Sequence, residues 1–256
     1  MDSNPERPDF WSSYMRTLDE LIATTPAYQA MERDVIRALE PLSGGYYLDL
    51  GCGTGNLLRR LVAAESGANG IGIDFCPTAL EIARDKPSGD RTRLEFREVD
   101  FVRAAFPFPD RTFDGVTAVN TLYILTEKGA DPARKLAPLL REIRRVLRPG
   151  GRLVVSTPDG WGAHQLGKVV LGSLEHYGLL LWHEGPAGVV RRTRQFWRQR
   201  AALRVISETN RAIAARYVFL GRAQYRALLE DNGFRVERVR RTRTGNALLA
   251  ARPVER

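Results

Sequence analysis

The sequence predicts an α/β fold built on a doubly wound, mostly parallel sheet of seven strands. Between residues 46 and 158, short apolar runs alternate with amphipathic helical runs, a pattern typical of parallel sheets. Two further strand-like runs lie close together near the end of the chain, which predicts an antiparallel hairpin at one sheet edge. The 256 residues are 43% hydrophobic, enough for one large domain over residues 1–256.

The spacing of apolar residues places the individual elements. Residues 8–40 repeat apolar side chains at helical spacing with a break at Pro26, which predicts two N-terminal helices. The first five strands are predicted at residues 46–50, 70–74, 93–100, 113–120 and 152–158. The helix before the fifth strand is predicted to end at Pro149, Gly150 and Gly151. Residues 159–219 hold no clear strand, so we predict a helical cap inserted after the fifth strand, with helices near 163–182 and 187–217.

Positive charge is concentrated in the C-terminal part of the chain. Residues 1–157 contain 21 basic and 22 acidic residues, whereas residues 158–256 contain 18 basic and 8 acidic residues. Eight arginines and one acid lie within 189–216, beside an apolar stripe at Leu203, Ile206, Ile213, Tyr217 and Leu220. A basic amphipathic cap of this kind is predicted to meet an anionic membrane surface or an anionic substrate group. The alternative is a cap packed on the sheet with solvated arginines.

The run "YYLDLGCGTGN" at residues 46–56 contains the turn that predicts a ligand site. In open α/β sheets, ligands bind beyond the carboxyl ends of the strands, where the first strand turns into its helix. The spacing here is G-x-G-x-G, one residue short of the dinucleotide fingerprint G-x-G-x-x-G. Asp49 precedes the first glycine by two residues, and its carboxylate would repel a pyrophosphate and attract an ammonium group.

Four more motifs follow this turn in order: "GIGID" at 70–74, "VDF" at 99–101, "FDGVTAVN" at 113–120 and "RVLRPGGRLVV" at 145–155. Together they make the sequence similar to the class I S-adenosylmethionine-dependent methyltransferases, which have a Rossmann-like fold. The small-molecule branch that methylates ubiquinone and menaquinone at carbon resembles it further in its closing segments, here "LLEDNGF" and "TGNALLAARP". The long, arginine-rich insertion departs from that branch.

The resemblance implies S-adenosylmethionine as the cofactor and assigns residues to it. Asp49 would lie near the amino group, and the turn residues Gly51, Cys52, Gly53, Gly55 and Asn56 would hold the methionine part. Asp74 would bind the ribose hydroxyls, with Phe75 flanking the adenine, Asp100 and Phe101 beside the adenine amino group, and Val119 and Asn120 near the methionine. The residues alone leave other roles open, because Asp74 could cap the following helix and Cys52 could be a small filler.

Few residues are predicted to act in the reaction itself, because methyl transfer depends mainly on positioning and on exclusion of water. His164 and His176 are the candidate bases, since histidine is the side chain that ionises near neutral pH. Tyr14, Tyr28 and Tyr123 are candidates for contact with substrate or cofactor. The three histidines of the chain, at positions 164, 176 and 183, lack metal-ligand spacing, so no metal is predicted.

The sequence thus predicts methyl transfer from S-adenosylmethionine to a small apolar or amphiphilic acceptor: a natural product, a quinone or a lipid. Two cysteines and the absence of a signal-peptide pattern predict a cytoplasmic protein, with peripheral contact to an anionic membrane. Two alternatives stay open: an RNA methyltransferase that uses the basic C-terminal half, and a cofactor-binding scaffold without activity. The lack of interleaved exposed aromatics argues against nucleic acid. The oligomeric state is not predicted.

Overall fold

The computed structural model describes residues 8–24, 26–40, 43–87, 93–102, 105–159, 185–188, 190, 193, 204–242 and 244–254. Its strands are β1 (Tyr46–Leu50), β2 (Asn69–Asp74), β3 (Leu94–Glu98), β4 (Phe113–Val119), β5 (Leu147–Pro158), β6 (Phe234–Arg241) and β7 (Asn246–Pro253). Its helices are α1 (Pro8–Thr24), α2 (Pro26–Leu39), α3 (Asn56–Ala64), α4 (Pro77–Asp85), α5 (Pro132–Val146), the helical residues 204–216, here called α6, and α7 (Arg222–Asp231). A short 3-10 helix, Leu122–Leu125, follows β4.

The seven predicted strands form one sheet in the order β3-β2-β1-β4-β5-β7-β6. The pairs among β1 to β5 are parallel, and β7 runs antiparallel to both β5 and β6. The predicted fold class, including the antiparallel edge hairpin, is confirmed. The strand order reverses at β1, whose neighbours β2 and β4 connect in opposite directions, so the switch point lies at the carboxyl ends of β1 and β4.

The boundary between α5 and β5 differs from the prediction. The helix ends at Val146, and β5 begins at Leu147, which pairs with Phe113. The register then shifts, and regular pairing resumes at Arg152 opposite Gly115. The segment predicted to stop the helix therefore lies within the strand as an irregularity, with Gly150 at a φ of 75°.

Helix α5 shows why the local sequence folds as it does. Asp131 accepts a hydrogen bond from Ala133 N at 3.0 Å and caps the helix, and Pro132 occupies the first turn, where no N–H is needed. Its buried residues recur at helical spacing: Leu136, Leu139, Leu140, Ile143 and Val146. They join the main core, which lies against the strands on that side of the sheet.

The two predicted N-terminal helices are present. Helix α1 shares an aromatic cluster with α4 and α6, in which Trp11, Cys76, Ala79 and Ile213 are buried. Helix α2 packs on the sheet, where Val35 and Leu39 join Tyr47 and Val154 in a second core.

Only part of the predicted cap falls on the described residues. Helix α6 lies within the predicted helix 187–217, and Ile213, Tyr217 and Leu220 of its apolar stripe are buried. The end of α6 is tied to the loop after β4, because Val218 N donates to Thr126 O at 2.7 Å. Leu203 and the predicted helix 163–182 lie outside the described residues, so the cap as a whole stays a prediction. Within the described part of the chain, no helix combines the length and apolar character needed to cross a bilayer.

Candidate functional site

The turn between β1 and α3 is built on three glycines in the left-handed region. Gly51, Gly53 and Gly55 have φ values of 63°, 52° and 75°. A Cβ on Gly51 would lie 2.5 Å from Thr121 Oγ1, so no side chain fits there. The nearest atom to a Cβ on Gly53 is Met15 Sδ at 3.5 Å. Gly53 therefore borders open space, as expected of a backbone that a ligand approaches.

Asp74 ends β2 and holds the glycine turn in place. Its Oδ2 accepts a hydrogen bond from Gly53 N at 2.8 Å, and its Oδ1 accepts one from Cys76 N at 2.9 Å, just before α4. Burial raises the pKa of Asp74, although these backbone hydrogen bonds act to lower it. Asp74 does not cap α4, because the N-cap residue is Cys76 and the helix start has no side-chain cap hydrogen bond. Asp74 also lines the cavity next to the turn, and a carboxylate has lone pairs for further donors.

Asp49 is a buried acid at the end of β1. It is 2% exposed, and its Oδ1 accepts a hydrogen bond from Thr117 Oγ1 of β4 at 2.7 Å. Burial raises the pKa of Asp49 to about 7, against the hydrogen bond from Thr117 and with the help of the nearby Asp74 and Glu32 carboxylates. A buried carboxyl group without a cationic partner is costly, so the site favours a ligand that brings positive charge.

A cavity of about 140 Å³ lies over the carboxyl ends of β1, β2 and β4. Four acidic side chains line it: Asp19, Glu32, Asp49 and Asp74. Among the described residues, no arginine, lysine or histidine belongs to its lining. Arg60 pairs with Glu32 at 2.7 Å from outside the cavity. The lining is therefore acidic in a protein of net charge +9.

The N-terminal helices form one side of this cavity, a placement that the sequence did not predict. Helix α1 contributes Trp11, Tyr14, Met15, Leu18 and Asp19, and α2 contributes Tyr28, Met31 and Glu32. The predicted cap, residues 159–219, contributes no described residue to the lining. The signal available in the sequence was the aromatic and acidic content of the two amphipathic helices, which indicates a buried face without saying what it faces.

A polar network joins α1 to the glycine turn. Asp19 Oδ1 accepts hydrogen bonds from Thr54 Oγ1 at 2.5 Å and Asn56 Nδ2 at 3.0 Å, and it pairs with Lys86 Nζ. Lys86 also donates to Asn56 Oδ1 at 2.8 Å and to Thr54 O at 2.9 Å. Although burial acts to raise it, the contacts with Lys86 and Thr54 hold the pKa of Asp19 below its usual value. Asn56, a predicted cofactor residue, thus lines the cavity but is engaged by Asp19 and Lys86.

The end of β4 brings Val119 and Asn120 to the cavity, and their contact with the methionine stays a prediction. Asn120 has a φ of 53°, unusual for a residue with a side chain, and its N donates to Ser156 O at 2.7 Å. Its Oδ1 accepts a hydrogen bond from Asn246 Nδ2 at 2.7 Å. The sequence had given no role to Asn246, which lies on β7.

The remaining predicted cofactor residues divide into two groups. Phe75, Phe101 and Cys52 line the cavity. Asp100 is exposed, does not belong to the lining, and accepts a hydrogen bond from Val102 N at 3.2 Å, so its adenine contact stays a prediction. Cys52 fills a tight space, since a Cβ on Gly72 would lie 2.7 Å from its Sγ. Burial raises the pKa of the Cys52 thiol well above its usual value, which fits a filler better than a nucleophile.

The three candidate tyrosines, Tyr14, Tyr28 and Tyr123, meet at the cavity. Tyr123 lies 5.9 Å from Tyr217 and 5.0 Å from Phe219, measured between ring centroids, which extends an aromatic wall toward α6. Burial raises the pKa of Tyr14, Tyr28 and Tyr123, so these phenols stay protonated at neutral pH. They can donate hydrogen bonds and pack against apolar groups.

The candidate bases His164 and His176 lie outside the described residues, as does His183, so their role stays a prediction. In the described part of the chain, no group of three or more His, Cys, Asp or Glu side chains is arranged to hold a metal ion.

Comparison with known proteins identifies the region that carries this site. The profile described as "Methyltransferase domain" matches residues 48–155, which run from β1 to β5. This stretch of the chain is similar to methyltransferase domains. The resemblance inferred from the sequence is thereby confirmed, and Asp49, the glycine turn, Asp74 and Asn120 all lie within the matched range.

Relatives of the methyltransferase domain include quinone-modifying enzymes. The demethylmenaquinone methyltransferase of Thermus thermophilus is 42% identical over 108 residues, covering 42% of this chain and 44% of that protein. The chain spans about half the length of the curated relatives it matches. The similarity therefore concerns about half of this chain.

Solved structures share the fold of the described part of the chain. The chain solved with the Haloferax volcanii Trm112 methyltransferase activator is 20% identical, with a TM-score of 0.63 over 97% of this chain and 99% of that one. Human N-acetylserotonin methyltransferase, solved in complex with SAM, is 17% identical, with a TM-score of 0.61 over 98% of this chain and 57% of that one. At these identities the likeness concerns the fold.

Proposed function

We propose that this protein transfers a methyl group from S-adenosylmethionine to a small apolar or amphiphilic acceptor. The observation that carries the proposal is the acidic cavity at the switch point of a methyltransferase domain. Asp49 and Asp74 are buried there beside a glycine turn whose central residue borders open space. A cationic cofactor fits this lining, whereas the pyrophosphate of a dinucleotide would meet four carboxylates.

The residues of the cavity fit the parts of the cofactor. When bound, S-adenosylmethionine supplies a methyl group on a positively charged sulfur. Asp49 attracts the ammonium group, and Asp74 is placed to accept hydrogen bonds from the ribose hydroxyls while it holds Gly53. Phe75 and Phe101 offer apolar faces for the adenine ring.

Aromatic side chains support an apolar, flat or amphiphilic acceptor. Tyr14 and Tyr123 line the cavity, and behind them Tyr123 packs edge-to-face against Tyr217 and at a tilt against Phe219. Such a wall buries apolar surface and excludes water from the reacting groups. The demethylmenaquinone methyltransferase among the relatives supports a quinone-type ring as the acceptor. The chain's own residues that would remove a proton are the predicted bases His164 and His176.

The proposal is tested by methyl transfer from radiolabelled S-adenosylmethionine to a panel of naphthoquinols, phenols, lipids and bulk RNA. We expect label in extracts of the aromatic acceptors and little in RNA. An Asp49→Asn variant serves as the inactive control. Label in RNA alone would favour the nucleic-acid alternative, and tight cofactor binding with no product in any arm would favour the scaffold. The predicted membrane contact is tested separately by sedimentation with anionic liposomes.

A further inference from the structure

The buried side-chain amide of Asn246, on the last strand, is hydrogen-bonded to the side-chain amide of Asn120, which lines the cavity. Asn246 lies at the start of β7, is 6% exposed and is outside the residues matched by the methyltransferase domain. Its Nδ2 donates to Asn120 Oδ1 at 2.7 Å. Asn120 is the residue that leaves β4 in the left-handed region and lines the cavity. A residue distant in sequence therefore contacts a cavity residue directly.

The surroundings of Asn246 determine which end of its amide faces Asn120. Its Nδ2 also lies 3.4 Å from Met31 Sδ and 3.3 Å from Ser156 Oγ. A thioether sulfur can only accept a hydrogen bond, so the reversed amide would place an oxygen against an acceptor. Met31 is 2% exposed and Ser156 is 1% exposed, so water does not supply an alternative partner.

The orientation of Asn246 in turn determines the orientation of Asn120. Because Nδ2 of Asn246 donates to Asn120 Oδ1, the Nδ2 group of Asn120 is the end left for another partner. Among the described residues, no acceptor is bonded to that group. The backbone is fixed as well, since Asn120 N donates to Ser156 O and Asn246 N donates to Thr242 Oγ1.

We infer that Asn246 is a positioning residue that holds the Asn120 NH2 group as a hydrogen-bond donor to the carboxylate of the cofactor. This inference rests on the proposed function. The ammonium of the same amino-acid group is assigned to Asp49 on the neighbouring strand. The carboxylate of the cofactor would meet four acidic side chains in the described lining. A fixed N–H donor from Asn120 would therefore stabilise this carboxylate where the rest of the lining repels it.

Two substitutions at Asn246 distinguish loss of the hydrogen bond to Asn120 from reversal of its direction. In Asn246→Asp, the carboxylate accepts from Asn120 Nδ2, so the Asn120 oxygen turns toward the cavity. In Asn246→Ala, the Asn120 amide is free to rotate. Calorimetric titration with S-adenosylhomocysteine should show about a tenfold weaker affinity for the Asp variant and a smaller loss for the Ala variant. Titration with 5′-methylthioadenosine, which lacks the amino-acid group, should change less than about twofold for both.

Asn232→Asp is the matched control, because Asn232 donates to Leu228 O at the end of α7. It should leave both affinities unchanged. The positioning role would be overturned if a variant lost affinity equally for the two ligands, or if the Ala variant bound S-adenosylhomocysteine more weakly than the Asp variant. Either result would count against it whether or not the melting temperature of the variant falls. Unchanged affinity for S-adenosylhomocysteine in both variants would overturn it too. A wild-type chain that binds neither ligand would overturn the proposed function and this inference with it.

Discussion

Asp19 on α1 accepts a hydrogen bond from Thr54 Oγ1 in the glycine turn at 2.5 Å. Lys86 pairs with the same Asp19 oxygen and with two groups of the turn. The N-terminal helix and the loop that would receive the cofactor are therefore joined by one charged network. Opening of the cavity on the α1 side requires these bonds to break.

Asp19→Asn should loosen α1, because a neutral amide loses the ion pair with Lys86. Charged hydrogen bonds of this kind are worth about 1.5–3 kcal/mol, so amide hydrogen exchange within 8–24 should speed up by roughly ten- to a hundredfold. Exchange is followed by mass spectrometry of peptides from this region. Asp34→Asn is the control, since Asp34 pairs loosely with Arg37 one turn along α2, at 3.9 Å. Equal protection in wild type and Asp19→Asn would show that the network does not hold α1.

Cofactor affinity should rise with pH because of Asp49. Burial raises the pKa of Asp49 to about 7 in the free protein, while its ordinary value is 3.8. Between pH 6 and pH 8 the carboxyl group loses its proton, so affinity for the ammonium-bearing ligand should increase about tenfold and binding near pH 7 should release a proton. Calorimetric titration in buffers of different ionisation enthalpy measures both the affinity and the number of protons released on binding.

The same pKa shift has an opposite consequence for the free protein. Because Asp49 ionises at lower pH when unfolded, its contribution makes the free energy of unfolding fall as pH rises from about 4 to about 7. Asp49→Asn should remove this slope and the proton release together. An Asn variant with the wild-type pH profile of binding would assign the titration to another group.

Gly53→Val should abolish cofactor binding while the protein still folds. A Cβ at position 53 would fit, since its nearest neighbour is Met15 Sδ at 3.5 Å. The rest of the valine side chain would occupy the cavity. Gly150→Val is the matched control, since Gly150 also has a positive φ of 75° and no atom within 4 Å. Both variants should lose about 1–3 kcal/mol of stability through backbone strain, and only Gly53→Val should lose binding. Normal binding by Gly53→Val would refute the assigned path of the ligand.

Arg152→Met should destabilise the fold without touching the cavity. Arg152 is 5% exposed, lies 2.7 Å from Glu40 Oε2 and 2.8 Å from Glu237 Oε2, and donates to Ala38 O. Removing it should cost about 2–4 kcal/mol in urea unfolding, because the Glu40 and Glu237 carboxylates lose their buried partner and Ala38 O loses its donor. Arg235→Met is the control, because Arg235 forms an exposed ion pair with Glu237 at 3.4 Å. Its removal should cost less than about 0.5 kcal/mol. Similar midpoints for the two variants would contradict this assignment.

The sequence predicted the sheet and the turn because their causes are local. Gly51, Gly53 and Gly55 lie in the left-handed region, which glycine adopts most readily, and "GIGID" ends on the acid that holds this turn. Register within β1 and β2 follows from short apolar runs buried on both faces. These features need no knowledge of distant partners.

Other parts of the site depend on contacts between residues far apart in the chain. Nothing in the helical spacing of α1 indicates that Asp19 meets Thr54, or that Asn246 meets Asn120 across 126 positions. The start of β5 was predicted too late, since the pairing of Leu147 with Phe113 is a tertiary contact that overrides the turn residues after it. Asp100 was placed at the cavity by motif position alone, and its side chain is exposed.

The central claim is that the acidic cavity binds S-adenosylmethionine through Asp74 and its neighbours. Calorimetric titration of the full chain with S-adenosylhomocysteine, beside Asp74→Asn, tests it most directly. The account predicts one site per chain in wild type and an affinity weaker by about ten- to a hundredfold in the variant, as expected from lost hydrogen bonds to a charged group. Equal affinity in the two proteins, or binding of NAD in place of S-adenosylhomocysteine, would contradict it.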